Sequence, residues 1–79
     1  MISARFLGLM DALHTVARDQ TLAAEERTLA AERAIKDCLV GDQATQKEML
    51  DALKKEVASE RGEFWNIVRE IIRHLRQTG

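Results

Sequence analysis

The sequence predicts an all-α protein: an antiparallel hairpin of two long helices that pairs with a second copy into a four-helix bundle. Three observations lead to this prediction. The 79 residues include no proline and are rich in Ala, Leu, Glu, Arg and Lys, which lose little side-chain entropy in a helix. Apolar residues fall on one side of each half of the chain at about 100° per residue. The strongest break in the pattern, at Gly41 and Asp42, separates the halves.

The first predicted helix covers residues 2–39. A heptad repeat inside it, at residues 21–27 and 28–34, leaves Leu22 and Leu29 on the outward face and predicts a further contact surface there. The inward stripe consists of Ile2, Phe6, Leu9, Met10, Leu13, Val16, Ala17, Ala24, Ala31, Ala34, Ile35, Cys38 and Leu39. Its polar interruptions are Gln20, Thr21, Arg27 and Thr28.

A short turn is predicted at about residues 40–44. Gly41 can take the left-handed conformation that ends a helix, and Asp42 can cap the next one. Thr45 with Glu48 is a second candidate start, because the pair has the spacing of a capping box. A short connection implies antiparallel neighbours.

The second predicted helix covers about residues 45–77. Gly62 falls on its polar side and the apolar phase continues past it, so one continuous helix is preferred to a bend near residues 61–63, which would give three helices. The stripe consists of Met49, Leu50, Leu53, Val57, Phe64, Ile67, Val68, Ile71 and Leu75. The whole chain is then one domain, residues 1–79.

The end of the second helix has more apolar surface than one partner helix can cover. With Trp65 and Ile72 at its edge, the arc spans about 160°. Trp65 is either the anchor of a second interface or an ordinary core residue. The predicted partner and oligomer interface consists of Phe64, Trp65, Val68, Ile71, Ile72, Leu75, Leu22 and Leu29.

Two polar clusters have structural and functional interpretations. If the hairpin folds about Gly41, Gln20 and Thr21 become level with Glu60 and Arg61, and Arg27 lies near Glu56. Such a polar layer fixes register, and its predicted members are Gln20, Arg27, Glu60 and Arg61. Arg69, Arg73 and Arg76 share one outward face near the C-terminus, where positive charge favours a helix end. The alternative role of these arginines is contact with an anion, including nucleic acid.

No catalytic residue, cofactor site or metal site is predicted, since the sequence has no phosphate loop, nucleophile motif or run of metal ligands. Cys38 lies on the core stripe and is expected to be a buried apolar residue; a reactive thiol would need exposure and a low pKa. A formal charge of -1 gives no general attraction to nucleic acid or lipid. No signal peptide, membrane span or membrane partner is predicted, and the expected location is cytoplasmic.

These features predict a non-enzymatic protein–protein interaction module, an adaptor, inhibitor or assembly subunit that is regulatory in nature. Its expected partners are itself, as a homodimer with coiled-coil-like packing, and another protein. A nucleic-acid-binding regulator that uses the C-terminal arginine face is the alternative function.

Overall fold

The computed structural model describes residues 3–78, and every regular element in that range is a helix, which confirms the all-α prediction. The helices are α1 (Ala4–Arg18), α2 (Ala24–Cys38), α3 (Gln43–Val57) and α4 (Glu63–Thr78). Contacts divide the chain into two compact units, the first ending at Cys38 and the second beginning at Leu39. Helix α1 packs on α2 in the first unit, and α3 packs on α4 in the second. Within residues 3–78, no helix combines the length and the apolar character needed to cross a lipid bilayer.

The prediction of one helix over residues 2–39 is wrong, because a five-residue loop separates α1 from α2. The Asp19 carboxylate accepts hydrogen bonds from the Thr21 backbone N–H at 2.9 Å and the Thr21 hydroxyl at 2.6 Å. Local side-chain bonds of this kind compete with the helical ladder. The chain resumes its helix where the Glu26 carboxylate accepts from the N–H of Ala23 at 2.9 Å. The predicted start at residue 2 lies outside the described residues.

The prediction of one helix over residues 45–77 is also wrong. Helix α3 ends at Val57 and α4 begins at Glu63. Gly62 has a φ of 118°, which L side chains rarely adopt, so the backbone here needs a glycine. The alternative bend near residues 61–63 overlaps the end of the observed break, which covers residues 58–62.

The turn at Gly41 is confirmed, with a positive φ of 91°. Asp42 caps α3, since its carboxylate accepts from the backbone N–H of Thr45 at 2.9 Å. This bond holds the pKa of Asp42 below its ordinary value. Of the two candidate starts, the chain therefore uses Asp42 rather than Thr45 with Glu48.

Each unit has its own set of buried apolar side chains. The first unit buries Phe6, Leu9, Leu13, Ala31, Ile35 and Cys38. The second unit buries Leu50, Leu53, Val57, Trp65, Val68 and Ile72. Among the described residues, the buried set includes no polar or charged side chain. The predicted core stripes are confirmed in part, and each is divided between two helices. On α4 the buried residues are Val68 and the two predicted edge residues, Trp65 and Ile72, whereas the other α4 residues of the predicted stripe are half-buried.

Candidate functional site

Helix α4 has two apolar stripes, and only one of them is buried. Trp65, Val68 and Ile72 are buried in the second unit. A second set, which we call the outer stripe, lies about 90° away around the helix at about 100° per residue. The outer stripe consists of Phe64, Ile67, Ile71 and Leu75, all half-buried. An amphipathic helix usually has one apolar face toward its core, so a second apolar face is surface that can meet a partner.

The two adjacent aromatic residues divide between these stripes. The Phe64 and Trp65 rings meet edge to face, with centroids 5.1 Å apart and planes at 80°. Trp65 is only 7% exposed. Trp65 is therefore a core residue of the second unit rather than an exposed anchor. Phe64 is the aromatic side chain of the outer stripe.

The other predicted interface residues fall into three groups. Val68 and Ile72 are buried, so in this chain they have almost no surface to offer a partner. Leu22 is half-buried in the α1–α2 loop, whereas Leu29 is 61% exposed on α2. Ile71 and Leu75 lie on the outer stripe.

The predicted interface omitted Ile67, which the structure places between Phe64 and Ile71 on the outer stripe. The spacing of residues 64, 67, 71 and 75 is a helical face of its own and could have identified it.

Three residues of the predicted polar layer are not helical. Gln20 lies in the α1–α2 loop, and Glu60 and Arg61 lie in the α3–α4 loop. A register layer needs side chains from helices packed along a common face, so loop residues do not form one of the expected kind. Arg27 is helical, and its guanidinium bonds within its own unit.

Arg27 and Arg69 have equivalent structural roles. In the first unit, Nε and Nη2 of Arg27 donate to the Asp19 carbonyl oxygen at 3.3 and 3.0 Å. In the second unit, Nη1 of Arg69 donates to the carbonyl oxygens of Val57 and Glu60 at 2.7 and 3.0 Å. Each guanidinium donates to carbonyls at or just beyond the C-terminal end of a helix, where helical donors are missing. The nitrogen Nη2 of Arg69 also donates to Oδ1 of Asn66 at 2.6 Å.

The other two residues of the predicted anion face are also paired. Arg73 forms an ion pair with Glu70, one turn before it. Arg76 Nε lies 2.9 Å from Oδ1 of Asp51, so this pair joins α4 to α3. All three arginines of the face are therefore engaged with groups of the second unit.

Cys38 is buried at the end of α2, with its Sγ 3.6 Å from the carbonyl oxygen of Arg5. Burial raises the pKa of the Cys38 thiol. The sulfur lies beside an open groove of about 320 Å³ between α1 and α2, lined mainly by small side chains and including Gly8. This environment fits the predicted apolar role of the cysteine.

Among residues 3–78, no three His, Cys, Asp or Glu side chains converge in a way that could hold a metal ion. No protein-family model matches the chain, and comparison with curated proteins and with solved structures also found no match.

Proposed function

We propose that this protein is a non-enzymatic protein–protein interaction module that acts through the outer stripe of α4, and that it self-associates through this stripe as a dimer. One observation carries the proposal: α4 already buries Trp65, Val68 and Ile72, yet four further large apolar side chains on the same helix are only half-buried. Covering apolar surface contributes about 25 cal/mol per Å². A partner helix on this stripe therefore gains free energy from a surface that is already formed.

In this proposal the dimer uses only the second unit of each chain, rather than the whole hairpin expected from the sequence. Two stripes about 90° apart on α4 are the geometry of a helix at the corner of a four-helix bundle, where each helix meets two neighbours. Helix α3 is one neighbour, and α4 of a second copy is the other. The four helices are then α3 and α4 from each of two chains.

The exposed leucine on α2 supports contact with another protein as a separate event. Leu29 lies beside Ala24, Glu25 and Thr28, which line a shallow surface depression with it. A lone exposed leucine is common on soluble proteins, so the outer stripe carries the proposal and Leu29 is secondary. The nucleic-acid alternative has less support, because the guanidinium groups of Arg69, Arg73 and Arg76 already have partners.

Sedimentation equilibrium tests the proposal directly. The unmodified protein is expected to dimerise, and Ile71→Glu is expected to abolish the dimer because it places a charge within the covered stripe. Leu7→Glu is the matched control, since Leu7 is 58% exposed on α1 and its replacement leaves the stripe intact.

Circular dichroism of each variant establishes whether the helices are retained. Ile67→Glu provides a second disruption of the stripe if Ile71→Glu loses helicity. An unmodified protein that stays monomeric at every concentration tested, or folded stripe variants that dimerise as well as the unmodified protein, would contradict the proposal.

A further inference from the structure

We infer that the partner of the outer stripe is α4 of a second copy in antiparallel orientation, and that Glu63 and His74 form the reciprocal pair that selects this orientation. The inference rests on the proposed function, because it assigns a geometry to the proposed dimer. Both residues are exposed and lie on the rim of the outer stripe that faces away from the buried stripe, by their positions at about 100° per residue.

The outer stripe is self-complementary when two copies run in opposite directions. A two-fold axis near residue 69 sets Phe64 of each copy opposite Leu75 of the other and sets Ile67 opposite Ile71. A large aromatic side chain therefore meets a leucine at both ends, and isoleucines meet near the centre. A two-fold interface requires this reciprocity, in which each contact occurs twice.

The same axis brings Glu63 of each copy next to His74 of the other. At about 1.5 Å per residue, Glu63 lies about 9 Å before the level of residue 69 and His74 lies about 7.5 Å after it. A two-fold axis perpendicular to the plane of the two helices pairs each rim with the same rim of the other copy, so Glu63 and His74 become level at two symmetric places. A histidine ring N–H can donate a hydrogen bond to the carboxylate.

A parallel arrangement lacks this complementarity. Its two-fold axis runs along the helices and sets each rim against the opposite rim of the other copy, so Glu63 and His74 of different copies neither become level nor share one side of the interface. The parallel arrangement also aligns the dipoles of the two α4 helices. The antiparallel arrangement brings one pair of like groups near each other, since Glu70 lies close to the axis. Arg73 forms an ion pair with Glu70 in the same helix and offsets that charge.

A charge exchange tests the orientation. Glu63→Lys sets a lysine against His74, and His74→Glu sets a glutamate against Glu63. Each single variant is expected to raise the dimer dissociation constant by about two- to five-fold, the range of exposed charge pairs. The double variant restores a lysine–glutamate pair at both places and is expected to return the constant to the unmodified value or below it.

Asp11→Lys is the control for the change in net charge, because Asp11 is an exposed acidic residue of α1. It is expected to leave the dissociation constant unchanged. If the unmodified protein dimerises, the double variant can still have a dissociation constant as high as that of the single variant that dimerises more weakly. That result would show that the antiparallel pairing is wrong, and it would leave the proposed dimer intact. A monomeric unmodified protein would overturn the proposed function, and this inference with it.

Discussion

The two units of this chain use the same plan with different side chains, and the difference identifies which unit is suited to partner binding. In each unit a 15-residue helix, a five-residue loop and a second helix of similar length follow one another. The buried residues of α2 are Ala31, Ile35 and Cys38, two of them small, whereas α4 buries the larger side chains of Trp65, Val68 and Ile72. Helix α2 has one apolar face and, outside it, the exposed Leu29, whereas α4 has two apolar faces.

The largest expected effect comes from the two core leucines that are fully buried, one in each unit. Leu13→Ala and Leu53→Ala are each expected to lower the free energy of unfolding by about 2–5 kcal/mol, because each leaves a cavity. Urea denaturation followed by circular dichroism measures the loss. A loss below about 1 kcal/mol for either variant would contradict the assignment of that leucine to a packed core.

The next prediction concerns the reactivity of the first unit at Cys38. The thiol is only 4% exposed and its pKa is raised, so alkylation by iodoacetamide is expected to be about a hundredfold slower in the folded protein than in denaturant. A time course of labelling read by mass spectrometry measures the ratio. Equal rates would show that α2 does not protect the sulfur.

The arginines that close the two loops allow a direct comparison of the units. Arg69→Gln is expected to cost about 1.5–3 kcal/mol, since its guanidinium bonds two carbonyls and the Asn66 side chain. Arg27→Gln is expected to cost less, because Arg27 bonds the carbonyl of Asp19 alone. Urea midpoints of the two variants give the order. A reversed order would mean that the number of carbonyls bonded does not set the stability of the loops.

The smallest expected effect is a pH dependence at two aspartates, one in each unit. Hydrogen bonds from Thr21 lower the pKa of Asp19, and those from Thr45 lower the pKa of Asp42. A carboxyl with a lowered folded pKa stabilises the fold above its unfolded pKa of about 3.9, and this contribution is lost as the pH falls through the folded value.

Asp42→Asn keeps a capping side chain at α3 but removes the titrating group. The variant is therefore expected to lose less stability between pH 5 and pH 2 than the unmodified protein, as measured by urea midpoints across that range. Asp19→Asn serves as the comparison in the first unit. Identical pH profiles for the unmodified protein and both variants would refute a role for these carboxylates.

Much of the fold could be predicted from residue spacing. The periodic apolar residues predicted helices throughout, and a glycine followed by an aspartate predicted the turn at Gly41 and the cap at Asp42. The first break could not be found in this way, because the repeat at residues 21–34 looks helical in both copies. The side chain of Asp19 and the guanidinium of Arg27 end α1 there, and these contacts appear only in three dimensions.

The second break had a visible signal that was given too little weight. Gly62 has a positive φ, but a glycine on the polar side of a helix costs only about 1 kcal/mol, so the continuous apolar phase dominated the prediction. The predicted interface stays a prediction, and the structure divides its α4 residues into two groups. Phe64, Ile71 and Leu75 are half-buried on the outer stripe, whereas Trp65 and Val68 are buried and could not be separated from them without knowing where α3 packs.

The guanidinium groups that close the loops also bear on the order in which each unit can fold. Arg27 is the fourth residue of α2 and reaches back eight residues, so one helical turn is enough to bring it to the carbonyl of Asp19. Arg69 is the seventh residue of α4 and reaches back twelve residues to Val57, so about two turns must form first. The hydrogen bond that closes the first loop can therefore form during nucleation of α2. The bond that closes the second loop forms only after α4 has propagated.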